Sequence, residues 1–269
     1  MSNFCIVTPF HKSTLSNYEK LSLKTIFKHF KTADKFLATF KENKIKIKGY
    51  KKIFFDKFFF ENIRNYSLLC NDIEFYKKFI KYDYMLICQF DVLVLKNNLE
   101  YFINQNLSYI GALAARKNIF DRKRKKLWAR RFFCNGGFSL RKVSDFIDVL
   151  QSNKIFFPIN YYTFYEANKS GFINFFKIYL KTLISKSPCK GEYFAKNLPL
   201  HEDTFWTYFA TLFLKSYKLP TINQANCFAF DGNPYFFYKK NKKKLPIALH
   251  GHHDYIKFLK NTDNIEILD

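Results

Sequence analysis

Residues 87–95 read ICQFDVLVL, a continuous apolar run that carries one carboxylate, Asp91. A buried carboxylate costs several kcal/mol unless something pairs with it, so Asp91 needs a partner. Side chains alternate between the two faces of a strand, which places Gln89 and Asp91 on the same face. If the strand ends near Asp91, both side chains emerge at its carboxyl edge, where open α/β sheets bind ligands. The alternative is an isolated aspartate that a loop amide satisfies.

The segments around this run alternate between strand and helix patterns, which indicates an α/β fold. Apolar runs predict strands at 4–10, 35–40, 50–56, 84–95, 132–142 and 226–232, and helical spacing predicts helices at 13–30, 71–82, 143–152 and 201–217. An aromatic-rich stretch at about 153–199 is helical in pattern and is interpreted as an insertion. We therefore expect a single domain over residues 1–269 that contains this insertion.

The chain is strongly basic, with a formal net charge of +23 over 269 residues. This charge indicates an anionic partner: nucleic acid, an acidic membrane surface or a phosphorylated substrate. Nucleic acid is the least supported, since no aromatic RNA-binding signature or zinc-finger spacing is present. The six scattered cysteines, the lack of a signal-peptide pattern in MSNFCIVTPF and the lack of a long uncharged apolar stretch predict a reduced, cytoplasmic protein.

Two acids precede an amphipathic pattern in HEDTFW, residues 201–206. Glu202 and Asp203 fall in the first turn of the expected helix, where the helix dipole favours negative charge and Asp203 alone could act as a cap. The functional interpretation is a carboxylate that acts as a general base and takes a proton from an attacking hydroxyl.

Two further segments contain residue types that bind ligands. In HGHHD, residues 250–254, the first histidine ends an apolar run, so His250 is the better candidate for a metal ligand. A solvated turn is the alternative for His252 and His253. In NGGFSLR, residues 135–141, paired glycines allow close approach of the backbone to a ligand, and Arg141 either meets a phosphate or is an ordinary cation near a helix start.

Taken in order, the segments YDYMLICQFDVLVL, YIGA, NGGFSLRK, EDTFW and LPIALHGH resemble a GT-A-type nucleotide-sugar glycosyltransferase. More closely, they are similar to a bacterial and fungal glycosyltransferase-like family that has Q-x-D where most GT-A enzymes have D-x-D. The resemblance covers roughly residues 60–142 and 200–252. It implies a GT-A, Rossmann-like fold with a mixed, mostly parallel sheet flanked by helices.

The resemblance also implies roles for individual residues. Asp91 matches the last acid of D-x-D, which binds a divalent metal, Mn²⁺ or Mg²⁺, and His250 matches the late histidine of the metal shell. Gln89 replaces the first acid and can still bind ribose hydroxyls. Asp203 matches the catalytic base of inverting members, with Glu202 as an acceptor-binding neighbour or the alternative base.

The remaining expected contacts are with the donor. Thr8 and Pro9, at the end of the first strand, would lie near the nucleotide, for which UDP is the preferred identity. Asn135, Gly136 and Gly137 would border the sugar of the donor or the acceptor, and Arg141 is counted with the donor-binding residues.

The implied function is transfer of a sugar from a nucleotide sugar to a hydroxyl of a glycan or lipid-linked acceptor, with inversion and with a divalent metal. Synthesis of a bacterial surface polysaccharide, either capsule or lipopolysaccharide, is the expected setting. Two alternatives stay open: a non-catalytic protein that binds anionic glycans or nucleic acid, and a metal-dependent hydrolase or phosphotransferase that uses Asp91 and His250.

A basic segment, residues 116–131, and the aromatic stretch 172–184 provide a possible site for an anionic surface. We expect the basic segment to form a loop that contacts anionic lipid headgroups or an acidic acceptor. Residues 172–184 would suit an interfacial helix on the inner face of the cell membrane. The alternatives are a solvated loop for the first and a core or acceptor-cleft role for the second.

Overall fold

The computed structural model describes residues 3–114, 134–155, 172–251 and 253–262. Within these residues, nine strands form one sheet in the order β3-β2-β1-β4-β7-β6-β8-β9-β5. The strands are β1 (Phe4–Pro9), β2 (Asp34–Thr39), β3 (Lys51–Phe54), β4 (Tyr84–Cys88), β5 (Val92–Val94), β6 (Tyr109–Ala114), β7 (Cys134–Lys142), β8 (Ala229–Asp231) and β9 (Ala248–His250).

Helices flank the sheet, so the predicted α/β class with a mixed, mostly parallel sheet is confirmed. The helices of the described residues are α1 (Asn17–His29), α2 (Ile63–Leu69), α3 (Ile73–Lys77), α4 (Leu99–Asn104), α5 (Val143–Gln151), α6 (Phe172–Ile184), α7 (Lys190–Asn197), α8 (Glu202–Tyr208), α9 (Ala210–Phe213), α10 (Ile222–Phe228), α11 (Pro234–Lys240) and α12 (His253–Lys260). None of them is both long and apolar enough to cross a membrane.

The sheet curls, and the short link between β4 and β5 shows why. Four strands, β7, β6, β8 and β9, separate β4 from β5 in the sheet order. In a flat sheet the two would lie about 24 Å apart, since neighbouring strands are spaced by about 4.8 Å. Only residues 89–91 connect them, and such a link reaches at most about 14 Å. The far edge of the sheet therefore curls back toward the end of β4.

Parallel pairing brings several strand ends to one edge of this sheet. Strand β1 pairs in parallel with β2 and β4, and β8 pairs in parallel with β9, whereas β7 runs antiparallel between β4 and β6. The carboxyl ends of β1 and β4 and the amino-terminal half of β7 consequently lie side by side. The link after β4 leads into β5, which pairs with β9 so that Val92 lies opposite His250. This pairing brings the carboxyl ends of β8 and β9 to the same edge.

Local signals explain the elements that the sequence predicted well. Helix α1 begins with a capping box in which Ser16 and Glu19 satisfy each other's backbone amides. The strands at 4–10, 35–40 and 50–56 are confirmed, and the strand at 132–142 is confirmed over its described part, Cys134–Lys142. Buried apolar side chains pack on both faces of the sheet, and Trp206 stacks on Phe146 at a ring distance of 3.8 Å.

Four predicted boundaries were wrong. Residues 84–95 form two strands rather than one, because the chain turns at residues 89–91. The helix expected at 71–82 is only Ile73–Lys77, and α2 before it was not predicted. The helix expected at 201–217 is divided between α8 and α9, and residues 226–228 belong to helix α10 rather than to a strand.

The expected insertion is helical where it is described, in α6 and α7. The basic segment 116–131, His252 and residues 156–171 lie outside the described residues. The single-domain assignment stays a prediction.

Candidate active site

The site is built around the turn Gln89–Asp91, which links β4 to β5. The amide of Gln89 donates to the carbonyl of Gly137 at 2.9 Å, and the amide of Gly251 donates to the carbonyl of Asp91 at 2.9 Å. These bonds attach the turn to strand β7 on one side and to the residue after β9 on the other. Gln89 and Asp91 therefore lie in a turn and not on one strand face, although both reach the carboxyl edge as predicted.

His250, the last residue of β9, lies between two aspartates. Its Nδ1 is 3.0 Å from Oδ1 of Asp231, and its Nε2 is 3.5 Å from Oδ1 of Asp91. Asp231 ends the neighbouring strand β8 directly opposite His250. With Nδ1 donating to Asp231, the ring presents Nε2 to Asp91, which is the orientation of a histidine that a carboxylate holds for metal binding.

The charge around His250 changes its acidity. Burial lowers the pKa of His250, but the hydrogen bond to Asp231 and the charges of Asp91, Asp231 and Asp203 outweigh burial, so the pKa is raised above its ordinary value. Three carboxylates thus raise the pKa of one buried ring, and the negative charge of the site is concentrated around His250.

Gly137 leaves the space that the ring needs. A Cβ on Gly137 would lie 2.3 Å from Nε2 of His250 and 2.6 Å from Oε1 of Gln89. Both polar atoms therefore border the same small volume, which any larger residue at 137 would fill. The Asn135 side chain turns back onto this backbone, since its Oδ1 accepts from the amide of Gly137 at 2.7 Å.

Beside this volume lies a buried ion pair. Nη2 of Arg141 donates to Oε1 of Glu202 at 2.9 Å, and its other nitrogens donate to Tyr76 and Ser139. The Arg141 side chain is 0% exposed, so the prediction that it meets a donor phosphate is wrong: its guanidinium is enclosed and is used to hold Glu202. A Cβ on Gly136 would lie 2.0 Å from Oε1 of Glu202, so this glycine makes room for the pair.

Asp203 begins α8 together with Glu202 and is also largely buried. The hydroxyl of Thr204 donates to Oδ1 of Asp203 at 3.4 Å, and the charge of Asp203 reaches His250. The predicted acids of α8 and the predicted metal ligands are therefore near each other in the structure.

A cleft of about 400 Å³ opens beside the turn. The end of β1, the turn after β4, the aromatic segment before α2 and the first turn of α2 line it. The lining includes Pro9, Phe10, Phe59, Phe60, Ile63, Tyr66, Gln89 and Asp91. Pro9 lines this cleft, and its expected contact with the nucleotide stays a prediction. Thr8 does not: it is fully buried, and its hydroxyl donates to the carbonyl of Cys88 at 2.8 Å, which joins β1 to the end of β4.

Two atoms of the site suit a divalent cation. Oδ1 of Asp91 and Nε2 of His250 are both buried, and neither makes a hydrogen bond. Two ligands that each lie about 2.1 Å from one ion are separated by about 3.0–3.4 Å at octahedral to tetrahedral angles, close to the 3.5 Å between these atoms. Carboxylate oxygen and imidazole nitrogen are both acceptable to Mn²⁺. No group of three such ligands exists among the described residues, and of these residues Asp91 and His250 are the two that would hold the ion.

Sequence reasoning missed Asp231, because residues 226–232 were interpreted only as a short strand. The available signal was an acid at the carboxyl end of that strand. Asp91 has a similar position after β4, and ligands bind at this edge of open α/β sheets.

The chain belongs to the family described as "Protein of unknown function (DUF5672)", which it matches over residues 49–250. That description assigns no activity, and it neither names nor excludes the glycosyltransferase-like family expected from the motifs. No curated protein matches the sequence.

Several solved structures are similar in outline. The apo form of mouse xyloside xylosyltransferase 1 has a TM-score of 0.47 and 9% identity, over 94% of this chain and 98% of that one. Galactosyltransferase LgtC in complex with donor and acceptor sugar analogs has a TM-score of 0.44 and 12% identity, over 91% and 86%. GlyE of Streptococcus pneumoniae TIGR4 has a TM-score of 0.42 and 13% identity, over 93% and 55%. At these scores the similarities are no evidence for the activity of this chain.

Proposed function

We propose that this protein is a glycosyltransferase that moves a sugar from a nucleotide-sugar donor to a hydroxyl of a glycan or lipid-linked acceptor. The observation that carries the proposal is the pair of buried atoms that make no hydrogen bond, Oδ1 of Asp91 and Nε2 of His250, 3.5 Å apart beside a cleft at the carboxyl ends of β1 and β4. Such a pair suits a cation, and such a cleft suits a nucleotide.

In this proposal Asp91 and His250 hold a divalent metal, Mn²⁺ or Mg²⁺. When bound, the metal neutralises the negative charge that develops on a diphosphate leaving group. Gln89 contributes a neutral amide that hydrogen-bonds donor hydroxyls, and Asp231 keeps the His250 ring in place. The aromatic walls of the cleft, with Pro9 and Phe10 on one side and Phe59 and Phe60 on another, would hold the nucleoside, with UDP preferred.

The general base of the proposed reaction is Asp203. Glu202 is the poorer choice because its Oε1 is engaged by Arg141 in a buried ion pair, which stabilises the carboxylate and fixes its position. Asp203 takes the proton of the acceptor hydroxyl while that oxygen attacks the anomeric carbon opposite the leaving diphosphate, so the product is inverted. Glu202 then serves to position the acceptor or the start of α8.

The biological setting is part of the same proposal: synthesis of a bacterial surface polysaccharide, capsule or lipopolysaccharide, on the cytoplasmic side of the membrane. The strongly basic composition supports an anionic donor and an anionic acceptor or surface.

The test uses a panel of nucleotide sugars with and without Mn²⁺, read first by thermal stabilisation and then by product formation. We expect one donor to stabilise the protein more with Mn²⁺, and Asp91→Ala to remove that difference. Asp203→Asn should retain donor binding but lower transfer by about 10²–10⁴-fold, the usual contribution of a general base. Asp148→Ala, an exposed aspartate on α5, is the matched control and should behave as wild type.

The outcomes separate the alternatives. Release of free sugar without transfer to any acceptor would indicate a metal-dependent hydrolase, and binding without any product would indicate a non-catalytic protein. Full transfer by Asp91→Ala or by Asp203→Asn would remove the role assigned to that residue.

A further inference from the structure

Helix α6 has an apolar face that points to solvent. Five large apolar side chains of its described part are 39–75% exposed, namely Ile173, Phe176, Leu180, Leu183 and Ile184. At 3.6 residues per turn they fall within an arc of about 100°. The opposite side of the helix carries Thr182, which is buried, and Ile178, which packs against the core. An ordinary surface helix turns its apolar face to the core, whereas α6 turns most of its large apolar side chains to solvent.

The charges beside this face are of one sign. Residues 172–190 contain four lysines and no acidic residue. Lys177 and Lys181 are exposed and follow one border of the apolar arc, and Lys186 is exposed just beyond the helix. An apolar stripe bordered by lysines is the pattern of a helix that lies in the headgroup region of an anionic bilayer.

We propose that α6 docks on an anionic lipid bilayer, parallel to its surface, with the apolar arc in the acyl boundary and the lysines among the phosphates. With 13 residues the helix is about 20 Å long, too short to span the bilayer. A second copy of this chain is a poorer occupant, because a contact through this face would bring together two copies of a protein of net charge +23, each with lysines beside the apolar arc.

Docking is independent of the proposed transfer reaction, since it involves no residue of the candidate active site. It would bring a cytoplasmic transferase to the surface where a lipid-linked acceptor is presented. Because the test below contains no donor or metal, its failure would leave the proposed function untouched, and the reverse also holds.

The experiment measures sedimentation of the full chain with vesicles of phosphatidylcholine alone and of phosphatidylcholine mixed with phosphatidylglycerol. The full chain should bind the mixed vesicles. The double variant Ile173→Ser, Leu180→Ser leaves every charge unchanged and should lower the partition coefficient by about tenfold or more. The double variant Lys177→Gln, Lys181→Gln should lower it by about 25-fold at low salt, since each lysine near an anionic surface contributes about fivefold.

The matched control is Ile80→Ser, which removes an isoleucine that is 70% exposed but lies outside α6. It should leave vesicle binding unchanged, and circular dichroism should show all variants folded. The proposal would be overturned by no binding to the mixed vesicles, by equal binding of wild type and the Ile173→Ser, Leu180→Ser variant, or by an equal loss in Ile80→Ser. Dimerisation that depends on Ile173 and Leu180, without vesicle binding, would also overturn it and would assign the face to a second copy.

Discussion

Replacing Gly137 with alanine tests the geometry of the candidate site with a single added carbon. That carbon would lie 2.3 Å from Nε2 and 2.9 Å from Cδ2 of His250, and 2.6 Å from Oε1 of Gln89. Non-bonded heavy atoms rest at about 3.5 Å, so the His250 ring must withdraw by roughly 1 Å. We expect Gly137→Ala to lower the free energy of unfolding by about 1–3 kcal/mol, the usual cost of overpacking.

The effect on the site should be larger than the effect on stability. A displacement of about 1 Å in a catalytic group can cost about 100-fold in rate, and we expect a loss of that size in metal-dependent transfer. Gly136→Ala is the comparison, because its Cβ would lie 2.0 Å from Glu202 and would disrupt the buried ion pair with Arg141. Breaking such a pair costs about 3–5 kcal/mol. Gly136→Ala should therefore lower mainly the stability, whereas Gly137→Ala should lower mainly the activity.

The assay pairs urea unfolding with calorimetric titration of Mn²⁺ and the nucleotide sugar. Gly136→Ala should show the greater loss of unfolding free energy. If both variants are folded at the assay temperature, Gly137→Ala should bind the donor with a weaker dependence on Mn²⁺ than Gly136→Ala does. If Gly137→Ala unfolds like the wild type and still binds the donor with full dependence on Mn²⁺, then His250 and Gln89 do not border the space described here.

Three further predictions concern the surroundings of the site. Asp231→Ala should weaken Mn²⁺ binding by about 10–100-fold, because the His250 ring loses the acceptor that orients it, and Asp231→Asn should recover part of the loss by electron paramagnetic resonance titration. Arg141→Met should cost about 3–5 kcal/mol in urea unfolding, since Glu202 is left as a buried unpaired charge, and adding Glu202→Gln should restore part of it. Because Asp91 and His250 are the two ligands proposed among the described residues, a bound diphosphate would complete the metal's coordination, and Mn²⁺ and UDP should raise each other's affinity by the same factor; titrations in which neither affects the other would contradict a shared site.

Much of the fold is encoded in short-range patterns. The capping box of Ser16 and Glu19 and the apolar residues of α1 are within one helix, so the sequence alone is enough to place that element. The strands at 4–10, 35–40 and 50–56 are equally local, because each is a short apolar run bounded by polar residues.

The break between β4 and β5 was not predictable from hydropathy. Phe90, in the middle of the turn, is itself buried and packs against Phe10 and Tyr50 at ring distances of 5.2 and 5.9 Å. The apolar run therefore continues through the point where the strand stops. Only the order of the strands in the curled sheet shows that the chain leaves its centre at Cys88 and joins its far edge at Val92.

The site shows the same division between local and long-range information. Asp91 could be selected because it is the one carboxylate within an apolar run, and His250 because it ends one. The role of Asp231 depends on the register between β8 and β9, and the burial of Arg141 depends on its contact with Glu202, 61 residues later in the chain. Neither relation has a signature in the neighbouring sequence.

The neutral amide at Gln89 is consistent with the charges around His250. Asp91, Asp231 and Asp203 already act on this one buried ring and raise its pKa against the effect of burial. Oε1 of Gln89 lies within 2.6 Å of the point where a Gly137 side chain would begin, beside Nε2 of the same ring. A carboxylate there would add a fourth negative charge to a largely enclosed volume, and like charges at such distances destabilise each other strongly. The amide offers a donor and an acceptor without that repulsion, so a glutamine at position 89 is physically reasonable in the proposed site, where Asp91 and His250 would bind the cation.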